Sequence, residues 1–220
     1  GEQVSVGINL YPDPDSQTLP IFVKTNNSGV EVTNSFSPII KNEVEEELAY
    51  NGVIYVDTID GINGTDYPKG TQAEPVNNLA DAIAIAEYRH FHDIEVRGTL
   101  VMDRDVKQYH IRGGAGTVVL VMQGYDMQDT QFEEVAITGD LGCCRPHSFK
   151  LCAFLDGVTN LDGRMINCSF LGEVTLADNA DITAYQCLSE VAGTGSPTLN
   201  LGNATPMSIN IRAFVGGLRI

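Results

Sequence analysis

The sequence predicts a mainly β chain in which a short β-solenoid, capped by an amphipathic helix, follows a small N-terminal β unit and a helix. Three observations predict this fold class. Short β-rich runs separated by Gly, Asn or Asp fill the chain from Ile94 onward. A helical pattern precedes those runs, and a block of residues recurs at a fixed spacing within them.

The N-terminal β unit is predicted from alternating apolar residues. Val4–Leu10 alternates apolar and polar residues, which is typical of a half-buried strand, and a Pro- and Asp-rich turn follows it. Ile21–Val23 and Val30–Val32 flank a turn-rich Asn-Asn-Ser-Gly segment, and this arrangement predicts a hairpin.

A helix is predicted over Pro38–Tyr50, because Pro is favoured in a first helical turn and apolar residues then recur every four positions. Ile40, Val44 and Leu48 form a stripe one residue wide among glutamates. Such a narrow seam suits contact with another helix or subunit. Docking on the helix's own domain remains an equal alternative. Residues 1–50 are therefore expected to serve docking or oligomerisation.

A second domain is expected over residues 51–220. It begins with the strand Val53–Val56 and a loop rich in Gly, Asp and Thr. Asn78, with Asp81 three residues later, predicts the start of a helix over about 78–88. Its apolar face, expected to lie flat on a sheet, consists of Leu79, Ala82, Ile83 and Ala86.

Several β runs follow this helix at tight spacing. They are Ile94–Met102, Tyr109–Arg112, Thr117–Met122 and Val135–Thr138.

An internal repeat carries the solenoid prediction. Cys152-Ala153-Phe154-Leu155 recurs sixteen residues later as Cys168-Ser169-Phe170-Leu171, and a Val-Thr pair recurs in the same register. A weaker copy starts at Cys187. In a solenoid, equivalent residues of successive turns stack about 4.8 Å apart. We therefore expect one ladder of Cys152, Cys168 and Cys187 and another of Phe154 and Phe170. Two similar hairpins in a sandwich are the alternative.

Composition excludes several functional classes. The chain has 13 basic and 29 acidic residues and a net charge of −16, which opposes contact with nucleic acid or an anionic membrane. No apolar run reaches the roughly 20 residues that cross a bilayer, so a soluble chain is expected. The five cysteines are odd in number and form no Cys-x-x-Cys pair, which predicts reduced, buried thiols. The first residue is Gly and the last segment is apolar, so a truncated C-terminus is expected.

The entry of the second domain resembles a known family. The residues that carry the resemblance are Tyr55-Val56-Asp57, Gly64-Thr65, Pro75–Ala86 and Asp93–Gly98. They resemble the entry of right-handed parallel β-helix proteins of the pectate-lyase-like class, and are most similar to the version in tail proteins of tailed bacteriophages. The resemblance covers about Val53–Leu201. It implies a right-handed β-helix whose first coil, with its unpaired backbone edge, is covered by a helix.

The resemblance implies a structural component of a phage or prophage-derived tail: a baseplate, tail-tip, spike or fibre protein. It implies location in the virion tail after a soluble stage in the host cytoplasm, a homotrimer, and contacts with other virion tail proteins. Attachment to a host-surface glycan stays open. A polysaccharide depolymerase or lyase is the alternative function, and a secreted adhesin is a third. We expect no nucleic-acid partner, no membrane insertion and no cofactor.

Carboxylates of the repeat region provide candidate catalytic residues, because enzymes of this fold use clustered Asp and Glu with a basic residue. Most of them lie in Asp-Gly or Asp-Asn contexts that favour turns, so no catalytic residue is predicted. The candidates are Asp156, Asp162, Glu173, Asp178 and Asp181, with Arg145 and Arg164.

Four further motifs were considered, and each has a structural interpretation that we favour, so no metal site is predicted. Acidic and amide residues every third position in the loop depart from the EF-hand ligand pattern. His90 and His92 are expected to lie at the end of the helix. The Gly-rich turn after Arg112 lacks the Lys of a phosphate-binding loop. The two adjacent cysteines are expected to lie in a buried turn. The loop residues are Asp57, Asp60, Asn63 and Asp66, and the cysteine pair is Cys143-Cys144, near His147.

Overall fold

The computed structural model describes residues 48–142, 148–189, 199–200, 205 and 208–215, together with the backbone of residues 19–24 and 31–36. The chain divides into two compact units, residues 1–45 and 46–220. In the first unit, β1 (Leu19–Lys24) pairs antiparallel with β2 (Glu31–Phe36), which confirms the predicted hairpin.

Parts of the N-terminal predictions lie outside the described residues. These include the predicted strand Val4–Leu10 and the seam residues Ile40 and Val44. Of the predicted helix, only residues 48–50 are described, and they are helical. Leu48 is 73% exposed.

The second unit is built on a sheet of eight parallel strands, here called sheet I. Each strand pairs with the equivalent strand of the previous and next turn, so chain order is also spatial order. In order, the strands are β3 (Val53–Asp57), β4 (Asp93–Arg97), β6 (His110–Gly113), β8 (Gln131–Glu133), β10 (Ser148–Lys150), β13 (Gly163–Ile166), β16 (Asp181–Tyr185) and β19 (Ser208–Arg212).

A second set of parallel strands faces sheet I and divides at one strand. The first part of β9 pairs with the next strand of a row that is here called sheet II. Asp140, at the end of β9, pairs with the first strand of a third, shorter row. Sheet II contains β5 (Thr99–Met102), β7 (Val119–Gln123), β9 (Ala136–Asp140), β11 (Ala153–Phe154), β14 (Ser169–Phe170) and β17 (Leu188–Ser189). The third row contains β12 (Val158–Leu161), β15 (Val174–Leu176) and β18 (Leu199–Asn200).

The chain runs from a sheet I strand to a sheet II strand and back in about five turns, forming a right-handed β-solenoid. This confirms the predicted fold class and excludes the sandwich alternative, because the stacked strands of the second unit are parallel. Side chains alternate across each strand, so one row fills the interior and the next faces outward. Within sheet I, the buried row includes Ile54, Ile94, Ile111, Phe132 and Phe149.

The helix α1 (Leu79–Arg89) covers the first turn, as predicted. The Asn78 side chain accepts a hydrogen bond from the Asp81 backbone N–H at 2.8 Å, which satisfies a donor that a helix N-terminus leaves unpaired. Leu79, Ala82 and Ile83 are buried beneath the helix. Ala86 is buried on the same face.

The outer edge of β3 is closed by the loop between β3 and α1. The Tyr55 N–H donates to Gly70 O at 2.9 Å and the Asp57 N–H donates to Val76 O at 2.7 Å. The first strand therefore offers no free row of donors for pairing with another chain.

Two details differ from the sequence prediction. The run Ile94–Met102 is two strands, because Gly98 turns the chain with a φ of +87° from sheet I into sheet II. β8 was not predicted, since it has only three residues and one apolar side chain, Phe132, between Gln131 and Glu133.

Candidate functional site

The outer face of sheet I carries a row of charges that alternate in sign. In register, Tyr55 lies beside Glu95, Glu95 beside Arg112, Arg112 beside Glu133, and Glu133 beside Lys150. Because parallel strands lie about 4.8 Å apart, each charged side chain reaches its neighbour in the next turn. This row is the densest group of charged side chains on the described sheet faces, and we call it the charged row.

Ion pairs link the members of the charged row. Arg112 Nη2 lies 2.9 Å from Glu95 Oε2, and Arg112 Nε donates to the same oxygen at 3.1 Å. Lys150 Nζ donates to Glu133 Oε1. These side chains are partly exposed, so solvent screens each pair and its contribution to stability is modest.

His110 connects the charged row to a second row on the same face. Its Nδ1 lies 2.9 Å from Asp93 Oδ1, and its Nε2 lies 3.2 Å from Glu133 Oε2. Both ring nitrogens therefore contact carboxylates, and neither points freely outward to meet a substrate. A His between two carboxylates is the nearest approach to a catalytic arrangement on the described faces.

The electrostatic environment of Glu133 is unfavourable for a general acid. The hydrogen bond from Lys150 lowers its pKa, and the His110 ring acts in the same direction against a smaller opposing effect of burial. A glycosidase needs one carboxyl whose pKa is raised so that it can donate a proton near neutral pH. Glu133 is instead held as a carboxylate.

The acidic loop after β3 is organised around Asp57 without a metal. Burial raises the pKa of Asp57, but hydrogen bonds from the Asp60 and Ile59 N–H groups and the Arg97 guanidinium outweigh it, so the pKa is lowered. Asp57 Oδ1 accepts from Ile59 N at 2.9 Å and Asp60 N at 3.1 Å, and Arg97 Nη1 lies 2.6 Å from Asp57 Oδ2. Asn63 Oδ1 accepts from the Asn78 side chain at 3.0 Å. These oxygens are already used as turn and cap acceptors.

Asp81 links this loop to the cap. The Gly64 backbone N–H and the Asn78 side chain donate to its carboxylate and lower its pKa. Among the described residues, no group of three or more His, Cys, Asp or Glu side chains is arranged to hold a metal ion.

The predicted candidate carboxylates of the repeat region do not converge. Asp156 Oδ1 accepts from the Glu173 N–H at 3.0 Å, and Asp162 Oδ1 accepts from Gly163 N at 2.8 Å and Asp181 N at 2.7 Å. Both act as turn formers between successive coils, as predicted. Glu173 instead accepts a hydrogen bond from the Asn200 side chain.

The remaining members of that candidate set are dispersed. Asp178, Asp181 and Arg164 are exposed, and Arg145 lies outside the described residues.

The two histidines at the end of the helix have structural roles. His90 is the C-cap of α1, with a φ of 58°, and its N–H donates to Ala86 O and Glu87 O. The His92 ring lies 5.7 Å from the Tyr109 ring. The helix-end prediction for His90 is confirmed. Cys143, Cys144 and His147 lie outside the described residues.

The three repeated cysteines occupy one register position in successive turns. Ala153 pairs with Ser169 and Ser169 with Leu188, which places the preceding residues, Cys152, Cys168 and Cys187, at one level. All three are free thiols and buried.

The buried Cys168 thiol is poorly suited to nucleophilic chemistry. Contact with Cys152 and burial raise the pKa of the Cys168 thiol to about 12. The Cys168 Sγ donates to Phe149 O at 3.5 Å and Ile166 O at 3.4 Å. Since the thiolate is the reactive form, Cys168 is inert at neutral pH.

Phenylalanines form the adjacent interior stack. The Phe154 and Phe170 rings are stacked with centroids 5.2 Å apart, and Phe149 meets Phe154 edge-on at 5.1 Å. Phe132 stacks on Phe149 at 5.5 Å. These rings fill the core and are not exposed to a ligand on the surface.

The outer face of sheet II contrasts with that of sheet I. Two rows of small or aliphatic side chains run along it, and none of them is ionisable. We call these two rows the uncharged face; beyond them, Gln123 and Asp140 occupy the next outward positions of β7 and β9. The first row is Thr99, Val119, Ala136, Ala153, Ser169 and Leu188, and the second is Val101, Val121, Thr138, Leu155 and Leu171.

A shallow groove of about 440 Å³ lies beside α1. Its floor is apolar and its rim mixes charges of both signs. Arg104 on the rim is already paired with Asp103 at 3.0 Å. Arg104 is therefore not a free cation that would orient an anionic ligand. Its lining residues are Ala80, Ile83, Ala84, Glu87, Arg104, Asp105 and Tyr125.

Comparisons with protein families, curated proteins and solved structures find no match to this chain. No helix among the described residues is long and apolar enough to cross a membrane. Fold and surface chemistry therefore carry the functional argument.

The sequence analysis missed the charged row. Glu95, Arg112, Glu133 and Lys150 are separated by 17, 21 and 17 residues, which are the lengths of the successive coils between them. Charges that alternate in sign at a spacing of one coil length are the sequence signal that could have identified these four residues.

Proposed function

We propose that this chain is a structural component of a phage or prophage-derived tail, such as a baseplate, tail-tip, spike or fibre protein. In this proposal the β-solenoid is a scaffold, and copies of the chain associate with one another, most simply as a homotrimer. It functions in the virion tail with other tail proteins, after a soluble stage in the host cytoplasm. The resemblance of the solenoid entry to phage tail proteins supports the assignment.

The electrostatics of three carboxyl groups, one of them on the outer face of sheet I, support a structural role over a catalytic one. Three carboxyl groups in the described part of the chain have clearly shifted pKa values, Asp57, Asp81 and Glu133, and all three are lowered. Hydrolysis of a glycosidic bond by paired carboxyls requires one that is raised. The observed pairs stabilise coil stacking instead.

The capped first turn is a second support. A scaffold protein must keep its sheet edges from uncontrolled pairing, and the loop and α1 close the edge of β3. Copies of the chain can then associate through surfaces other than this sheet edge.

Particle proteomics tests this proposal. Tail particles from an induced culture of the source bacterium would be purified, and peptides of this chain quantified by mass spectrometry against soluble cell protein. We expect enrichment in the particles, at a multiple of three copies per tail. Equal recovery from particle-free lysate and no enrichment in tails would overturn the assignment.

A polysaccharide-degrading enzyme is the second candidate, and His110 is the observation that favours it. His110 lies between Asp93 and Glu133, which is a possible acid–base group if a substrate displaces one contact. The test is release of reducing ends from capsular and lipopolysaccharide glycans. Cleavage that is lost in His110→Gln but kept in the control His92→Gln would establish the enzyme. No cleavage by the wild-type chain would exclude it for those substrates.

A further inference from the structure

The uncharged face is anomalous for this chain. Forty-two charged side chains are distributed over 220 residues with a net charge of −16, yet eleven outward positions on six adjacent strands carry none. The outward positions of sheet I show the opposite pattern, with Glu95, Arg112, Glu133 and Lys150 in one row. The largest exposed apolar patch of a protein is often a functional surface.

Exposure persists at both ends of the uncharged face. Val101 on β5 is 40% exposed and Leu188 on β17 is 39% exposed. Between them, Val121, Leu155 and Leu171 are half-buried, because each is flanked by neighbours in its own sheet. Within the described part of the chain, the larger side chains of the face are therefore exposed or half-buried from one end to the other.

Charge identifies the occupant as another copy of the same chain. Two chains of net charge −16 repel each other wherever their charged surfaces meet, so copies can approach closely only where both surfaces are neutral. A cationic partner would gain little from these rows, since they hold no carboxylate and Asp140, at the end of β9, already accepts hydrogen bonds from Gly142 N and the Asn160 side chain. Two uncharged faces with the same strand spacing are also complementary in shape, because side-chain ridges of one fit between those of the other.

The area of the face sets the strength of the association. Outward side chains lie about 7 Å apart along a strand and strands lie about 4.8 Å apart, so two rows across six strands cover roughly 400 Å². A standard interface covers about 800 Å² per partner. The face alone thus supports a concentration-dependent association rather than a permanent one.

We propose that the uncharged face, the outer face of β5, β7, β9, β11, β14 and β17, is the surface through which copies of this chain associate. This inference rests on the proposed self-association and names its surface. It is distinct from the predicted Ile40-Val44-Leu48 seam, of which Ile40 and Val44 lie outside the described residues. Burial of a lysine without a partner in the face opposes association strongly.

Sedimentation velocity and light scattering of the full chain, from micromolar to submillimolar concentration, provide the test. We expect the mass to rise with concentration above the 23.8 kDa of one chain. Val121→Lys, in the second row, is expected to lower the association constant by at least about tenfold. Thr183→Lys is the matched control, since Thr183 is a half-buried outward residue of sheet I. It is expected to leave association unchanged.

A second variant protects the test against misfolding. Val101 is already 40% exposed, so Val101→Lys leaves the core intact and is expected to weaken association as Val121→Lys does. Circular dichroism and melting temperature would verify the fold of each variant. Undiminished association of both lysine variants would overturn the proposal, as would a monomeric wild-type chain at every concentration.

Ionic strength gives an independent readout. Salt screens the repulsion between acidic chains, so association through an uncharged face is expected to strengthen as salt increases. Weakening by salt would indicate an ion-paired interface elsewhere and overturn the proposal. The particle experiment is unaffected by these outcomes: a tail protein that associates through another surface is still enriched in tails.

Discussion

Replacing Phe154 by Ala tests whether the interior phenylalanine stack holds the solenoid together. Phe154 is fully buried, stacks on Phe170 at 5.2 Å and meets Phe149 edge-on at 5.1 Å. It therefore lies between neighbouring turns, and its removal leaves a cavity that touches both.

The magnitude follows from the surface and the ring contacts that are lost. Removing the ring withdraws about 130 Å² of buried apolar surface, which at about 25 cal/mol/Å² corresponds to about 3 kcal/mol. Two aromatic pairs add about 0.5 kcal/mol or more each. We expect a loss of about 4 kcal/mol in the free energy of unfolding, within the range typical of Phe→Ala in a core.

Urea unfolding followed by far-UV circular dichroism is the appropriate assay, because the chain has no Trp to serve as a fluorescence probe. Phe214→Ala is the matched control. Phe214 is only partly buried and lies 6.2 Å from Phe170, so its loss is expected to be about 1 kcal/mol. If Phe154→Ala costs less than about 1.5 kcal/mol, or no more than Phe214→Ala, the stack does not carry the stability we assign to it.

Three further predictions follow from single positions. Asp57→Asn removes charge-assisted hydrogen bonds at a buried carboxylate and is expected to lower the free energy of unfolding by about 2 kcal/mol, measured by thermal or urea unfolding. Asp60→Asn is the control and is expected to be nearly neutral, because the Asp60 side chain is 69% exposed. Equal effects would contradict the central role of Asp57. Gly139→Ala places a Cβ 2.3 Å from a backbone oxygen of β7 and is expected to destabilise the fold far more than Gly157→Ala, which has a similar positive φ but open space around it. The pKa of Glu133 is lower in the folded chain than in the unfolded chain, so its stabilising contribution is complete above the unfolded value of about 4 and is lost as pH falls through the folded value. Glu133→Gln is therefore expected to reduce the difference in melting temperature between pH 7 and about pH 3. An unchanged difference would refute this contribution.

The solenoid and its cap could be predicted from local sequence. The block beginning at Cys152 and its copy at Cys168 fall into register in the structure, with Phe154 beside Phe170. The helix start at Asn78 is likewise a local event, because an Asn side chain caps the helix through a backbone N–H three residues away. Short-range periodicity and capping contain the information for both features.

The charged row could not be read in the same way. His110 contacts Asp93 and Glu133, which are 17 and 23 residues away in the chain. Coil length changes from one turn to the next, so no constant period brings these residues together. The carboxylates predicted as candidates are used elsewhere: Asp156 accepts from a backbone N–H of the next coil, and Glu173 accepts from the Asn200 side chain.

The sequence by itself determined that this chain stacks short strands into a capped solenoid, since repeated side chains and a helix start are properties of neighbouring residues. Only the tertiary structure decided which outward residues become neighbours. The register between turns depends on the length of every connecting loop, and that register placed opposite charges side by side on sheet I while it left two neighbouring outward rows of sheet II without charge.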